Sequence, residues 1–139
     1  MEAIERFMLS ELDAFRYEIA GYEPEAALEA LIANHLPDSH YADWQLYNSV
    51  WTLAAYDDAY ADMVIGIMNR WSALIDSIVR AGVQQGIYRE ISTARITRII
   101  AAAVNGYADI LSVNPSGPRC QEAKEDLRYL LQQLLSRSY

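Results

Sequence analysis

The chain of 139 residues is 53 % hydrophobic, has one cysteine and carries a formal net charge of −8. The length suits one domain, the lone cysteine excludes an internal disulfide framework, and no uninterrupted apolar run resembles a membrane span or a signal peptide. Acidic charge without a basic stripe repels phosphate backbones, so we expect no nucleic-acid binding through this chain. The composition therefore indicates a soluble, cytoplasmic domain.

Apolar residues recur at three- and four-residue spacing in six segments, which predicts an all-α, six-helix bundle. The first segment, 2–20, ends at Gly21, and Pro24 opens the second, where its missing N–H costs nothing. The third, about 41–56, is apolar on two sides, a pattern that predicts a buried helix. No segment has a strand pattern or an internal repeat.

The fourth segment, capped by Asp57 or Asp58, is the longest and runs to about Gln85. Its apolar residues cover roughly half of the helix surface, more than one neighbouring helix needs. Gly82 costs about 1 kcal/mol relative to alanine inside a helix, which predicts that another element approaches closely there. Gly86 is expected to end the helix in a left-handed conformation.

Two further helices are predicted at about 92–113 and 119–137, the first of them capped by Ser92. The first has an apolar stripe and a separate face of small residues, so it can pack on its own core and on a second subunit. The second carries a leucine stripe.

The segment Ile78–Arg89, preceded by Arg70, Trp71 and Leu74, resembles the middle of the C-terminal domain of TetR-type transcriptional regulators. In that family a long helix ends in G-x-x-x-G and an aromatic residue, and the next helix carries alanines and a D-G or N-G pair, which here is Asn105-Gly106. The resemblance covers essentially the whole chain. The family's N-terminal helix-turn-helix unit has no counterpart in this sequence.

This resemblance implies one effector-binding and dimerisation domain over 1–139, in which the last two helices form the subunit interface. In a full-length relative, ligand binding would cause the protein to release its DNA operator. The residues expected at the interface between two copies are Ala101, Asn105, Ala108, Ser112, Leu127, Leu130, Leu131 and Leu134.

The resemblance also implies a pocket enclosed by the first, middle and long helices, as is usual for ligand sites in bundles. We expect an apolar or aromatic small molecule there, and aromatic walls beside Asp109 would also suit a positive charge. Two tryptophans and an asparagine on one stripe pack poorly in a dry core. The candidate ligand-binding residues are Phe7, Phe15, Trp44, Tyr47, Asn48, Trp51, Met63, Ile67, Met68, Trp71, Asn105 and Asp109.

Catalytic and metal-binding patterns are not found in the sequence. Glu-x-x-His pairs, G-x-S-x-G and phosphate-binding loops do not occur. His35 and His40 are interpreted as exposed polar residues, and Cys120 as a packed thiol. We therefore predict that the protein is not an enzyme and needs no metal or cofactor. The alternative function is a structural helical dimerisation module with a filled core and no ligand.

Overall fold

The computed structural model describes residues 1–38 and 42–137, with side chains from Gln45 onward in the second range. Within these ranges the chain forms six helices and no strand beyond an isolated bridge between Tyr88 and Ser136. The predicted all-α, six-helix architecture is confirmed. The helices are α1 (Glu2–Ile19), α2 (Pro24–His35), α3 (Ala42–Ala54), α4 (Asp58–Gln84), α5 (Thr93–Val113) and α6 (Gly117–Leu135).

Side-chain caps determine where three of these helices begin. The Asp57 carboxylate accepts hydrogen bonds from the backbone N–H groups of Ala59 and Tyr60, at 2.9 and 3.3 Å. Ser92 caps α5 in the predicted way. Ser116 caps α6, so this helix begins two residues earlier than the sequence pattern predicts. Each cap satisfies N–H groups that the first helical turn leaves without partners.

The long helix α4 is the centre of the bundle and packs against α1, α2, α3 and α5. One large apolar cluster joins α1, α2, α4, α5 and α6 and includes Ile32, Val79 and Leu127. A smaller cluster joins α1, α3 and α4 around Met8. Trp71 packs against both clusters. The two apolar cores therefore meet at the middle of α4.

The turn after α4 has the geometry that its glycines predict. Gly86 has a φ of +75°, and the N–H groups of Ile87 and Tyr88 both donate to the carbonyl oxygen of Gly82, at 2.9 and 3.1 Å. The Tyr88 ring lies directly on Gly82, where a Cβ atom would collide with it. Arg89 then donates its N–H to the carbonyl of Leu135, which ties this turn to the end of α6.

The prediction that the third helix is buried is wrong. The helix α3 packs chiefly against α4, so the bundle covers only one of its two apolar sides. Val50 is fully buried, whereas Trp51 and Leu53 are exposed. Tyr56, just beyond the end of the helix, is 89 % exposed. The helix lies at the edge of the bundle and carries apolar side chains that its own core does not cover.

The orientation of α5 also differs from the prediction. Ala108 is only 6 % exposed, and Leu127 on α6 is buried as well, so neither side chain is available to a second subunit. The assignment of these two residues to a subunit interface is therefore corrected. The other residues predicted there are half-buried (Ala101, Ser112, Leu130, Leu131 and Leu134) or exposed (Asn105).

The outward face of α5 is instead apolar. It includes Ile99 and Val113, both exposed, and Ile110, which is 60 % exposed. By length and composition alone α5 could cross a membrane, a test that the core helix of a globular protein also passes. Here its inward face, including Ile100 and Leu111, belongs to the main core.

Candidate ligand-binding cavity

A cavity of about 310 Å³ lies between the first five helices, beside the point where the two apolar clusters meet. Ligand pockets usually measure about 300–1,000 Å³, so this volume suits a small ligand. Every helix except α6 contributes to its wall. The lining residues are Glu11, Leu31, Asn34, His35, Tyr47, Asn48, Trp51, Ile67, Met68, Trp71, Ser72, Ile75, Ala101, Val104, Asn105, Ala108 and Asp109.

Trp71 makes ring contacts with residues of two neighbouring helices. Its ring lies edge-on to His35, with centroids 4.6 Å apart, and tilted against Phe15 at 5.5 Å. Across the cavity, Tyr47 packs on Phe7 with centroids 6.4 Å apart. Phe7 and Phe15 thus support the aromatic wall from behind. Ring contacts from α1 and α2 therefore hold Trp71, which belongs to α4, in position.

The charges around the cavity are acidic. Glu11 from α1 and Asp109 from α5 both line it. Within the described part of the chain, no lysine or arginine contributes to the wall. Burial raises the pKa of the Asp109 carboxyl, because removing water disfavours its charged form. A positively charged group in the cavity would relieve that penalty, whereas an anion would increase it.

His35 lies in the last turn of α2 and faces this cavity. Its Nδ1–H donates to the carbonyl oxygen of Leu31 at 2.9 Å, since a carbonyl can only accept. Desolvation by burial lowers the pKa of His35, and the hydrogen bond to Leu31 only partly offsets this effect. The imidazole is therefore neutral at physiological pH, with Nε2 as an acceptor.

The interpretation of His35 as an exposed polar residue is wrong, because the last turn of α2 packs beside Trp71 and leaves the imidazole half-buried. A signal was present in the sequence. His35 continues the apolar stripe of α2, four residues after Leu31. Glu11, Asn34 and Ser72 also line the cavity without having been predicted.

Eight of the twelve predicted ligand-binding residues line the cavity: Tyr47, Asn48, Trp51, Ile67, Met68, Trp71, Asn105 and Asp109. Phe7, Phe15 and Met63 do not, because they pack in the two apolar clusters. The side chain of Trp44 lies outside the described residues, as does His40. Trp51 and Trp71 both contribute to the wall, on α3 and α4 respectively.

Metal-binding geometry is not found in the part of the chain that the structure describes, since no three His, Cys, Asp or Glu side chains cluster there. Cys120 is buried, and its sulfur lies 3.6 Å from the carbonyl oxygen of Leu36. Its interpretation as a packed thiol is confirmed.

Residues 24–136 match the family model of the C-terminal domain of BetI-type transcriptional repressors. The fold is similar to that of a transcriptional regulator from Saccharomonospora viridis solved in complex with choline. The TM-score is 0.87 at 18 % identity, over 99 % of this chain and 73 % of that one. A TetR transcription regulator from Haloarcula marismortui ATCC 43049 is similar with a TM-score of 0.80 at 16 % identity, over 97 % and 78 % of the two chains. Curated protein sequences give no match.

Proposed function

The chain belongs to the family of BetI-type transcriptional repressors, as a C-terminal regulatory domain, and on that premise we propose that its cavity binds a small organic cation as an effector. The observation that carries this proposal is the combination of aromatic rings with two carboxylates around a volume of about 310 Å³. Trp and Tyr faces attract ammonium groups within about 6 Å, most strongly when the site excludes water.

The neighbouring fold that was solved with choline supports this chemistry. Choline combines a quaternary ammonium group with a hydroxyl group. In this chain Trp51, Trp71 and Tyr47 could surround the ammonium group, while Asp109 would balance its charge. The side chains of Asn48 and Asn105 could donate a hydrogen bond to the polar end of the ligand or accept one from it. The expected ligand thus narrows from any apolar or aromatic small molecule to one that carries a positive charge.

Effector binding would act on transcription by favouring one arrangement of the bundle. A ligand shifts a conformational equilibrium only by its difference in affinity for the two states. Because the cavity wall includes five helices, closing around a ligand would change their mutual packing. In a full-length relative that shift would move the DNA-binding units and release the operator, in the cytoplasm where such regulators act.

We also propose that two copies of the domain associate through the outward face of α5 and the neighbouring surface of α6. Ile99, Ile110 and Val113 share that face with Ala102 and Gly106, two small residues that allow another helix to approach closely. A contiguous exposed apolar surface of this kind marks an interaction site. A two-fold dimer would bury the same face of both copies.

The competing function, a structural dimerisation module with a filled core, would leave no room for a ligand. The cavity favours the effector-binding function, because close packing in an apolar core leaves few voids larger than a water molecule.

Calorimetric titration of the chain with choline tests the proposal. We expect saturable binding at one site per chain, weakened at least tenfold by Trp51→Ala. Tyr56→Ala is the matched control, since Tyr56 is an exposed aromatic residue outside the cavity. Absence of binding, or equal loss in both variants, would overturn the proposed site.

A further inference from the structure

We infer that His35 is a specificity-determining residue of the cavity, which admits an organic cation only while the His35 imidazole is neutral. The inference rests on the proposed function and concerns the regulation of the same site. His35 lines the cavity, and its ring is held edge-on to Trp71 at 4.6 Å. A cation stacked on Trp71 would therefore lie close to the imidazole.

The hydrogen bond to Leu31 determines what the imidazole presents. Because Nδ1–H donates to that carbonyl at 2.9 Å, a second proton can be added only at Nε2. The neutral ring offers a lone pair at Nε2, which can accept a hydrogen bond from the hydroxyl group of a ligand. The protonated ring offers a second N–H and a full positive charge instead. Protonation thus changes both the charge and the hydrogen-bonding character of this wall.

Other titratable groups face the same space from neighbouring helices. Glu11 comes from α1, Tyr47 from α3 and Asp109 from α5. The residues of α4 on the wall are uncharged. At the same end of α2, α6 brings the thiol of Cys120 against the carbonyl of Leu36. The two carboxylates favour a positive charge in the cavity, and either a ligand or a protonated His35 can supply it.

A proton on His35 and a cationic ligand therefore compete for the same acidic surroundings. Burial already disfavours the imidazolium and lowers the pKa of His35. A bound cation would disfavour it further, since two like charges would share one small cavity. By linkage, acidification must then weaken the binding of the cation. A neutral ligand of the same shape would not experience this repulsion.

The experiment compares choline with its neutral carbon analogue, 3,3-dimethylbutan-1-ol, by calorimetry between about pH 5 and about pH 8, the range in which histidine titrates. Choline affinity is expected to be constant near the upper end. As the pH falls through the pKa of His35 it should decrease, approaching about tenfold per pH unit. His35→Gln, which keeps a polar neutral side chain, should remove most of this decrease. The neutral analogue should bind with little pH dependence.

Where choline binding does depend on pH, three results would overturn the inference. The first is choline binding whose pH dependence is unchanged in His35→Gln. The second is a decrease that disappears in His40→Gln instead, since His40 is the only other histidine in the sequence. The third is an equal decrease for the neutral analogue. If neither compound binds at any pH, the proposed function fails and the inference fails with it. Binding of choline without pH dependence would overturn the inference alone.

Discussion

The Trp71 ring on α4 lies edge-on to the His35 ring at the end of α2, with centroids 4.6 Å apart. The Trp71 ring also contacts Phe15 of α1, with centroids 5.5 Å apart. Both Trp71 and His35 line the cavity. The pair therefore joins the packing of three helices to the surface that a ligand would touch.

Trp71→Ala tests whether this tryptophan faces a cavity. Removing a fully packed aromatic side chain costs about 3–5 kcal/mol. Because Trp71 is half-buried and one side of it faces open space, we expect a smaller loss in the free energy of unfolding. Phe15→Ala is the comparison, since Phe15 is buried and should show the full cost. Urea unfolding measures both, and a Trp71→Ala loss equal to or above that of Phe15→Ala would make Trp71 an ordinary core residue.

Two glycines of α4 should respond oppositely to alanine. At Gly82 an added Cβ would collide with the ring of Tyr88, so Gly82→Ala should destabilise the domain. At Gly66 nothing lies within 4 Å of the added Cβ, and Gly66→Ala should stabilise the domain by up to about 1 kcal/mol through helix propensity. Thermal unfolding of the two variants checks this. Equal shifts in the same direction would contradict the close approach of Tyr88.

Acid should destabilise the domain in two separate pH ranges. The pKa of His35 is lowered by burial below its ordinary value of 6.5, so the unfolded chain binds that proton more readily. The contribution of the neutral His35 to stability is therefore fully present above about pH 6.5, and it decreases as the pH falls from there toward the pKa of His35 in the folded state. Urea unfolding along a pH series measures it, and His35→Gln should remove this first decrease. A first decrease that persists in His35→Gln would show that another group causes it.

The second range belongs to Asp76, whose carboxylate accepts a hydrogen bond from Arg80 at 2.9 Å. Burial raises the pKa of Asp76, but hydrogen bonds from Arg80, Thr93 and Thr97, together with the positive charge of Arg80, outweigh burial, and the net shift is downward. The contribution of the Asp76 carboxylate to stability is present above about pH 3.8 and is lost as the pH falls below that value. In the same pH series, Asp76→Asn should remove this second decrease and leave the first one unchanged.

A charge on the outward face of α5 should separate two associated copies. Ile110 is 60 % exposed in the single chain, so Ile110→Arg should leave its fold intact. In a dimer the same guanidinium would be buried without a partner, which is strongly destabilising. Sedimentation should therefore find dimers for the natural chain and monomers for Ile110→Arg. Ile65→Arg is the control, on α4 at a similar exposure of 54 %, and a monomeric natural chain would refute the proposed interface.

Local features could be predicted from the sequence because they depend on neighbouring residues. The end of α4 at Gly86 and the close approach at Gly82 both follow from backbone conformation, and both are confirmed. The direction that each side of α5 faces could not be predicted. Its isoleucines and its small residues are both compatible with a core, and the packing of α2, α4 and α6 against this helix turns Ala108 inward and Ile110 outward.

The cavity, too, could be predicted only as far as it depends on single helices rather than on how helices pack together. Its aromatic wall could be predicted, since Trp51 and Trp71 occupy broad apolar faces of their helices. The place of His35 on the apolar stripe of α2 could be read from the sequence, but its contact with Trp71 depends on how α2 crosses α4. Phe15 had the same sequence character as the wall residues, yet its position on α1 places it behind Trp71.

The most direct test of the proposed function is a crystal structure of the chain grown with choline. We predict ligand density in the cavity, with the quaternary nitrogen within about 6 Å of the ring centroid of Trp51 or Trp71 and on the side of Asp109. The matched control is a crystal grown with Trp51→Ala under the same conditions, where the density should be weak or missing. An unoccupied or collapsed cavity in the natural chain, at a choline concentration that saturates calorimetric binding, would contradict the assignment of this cavity as the effector site.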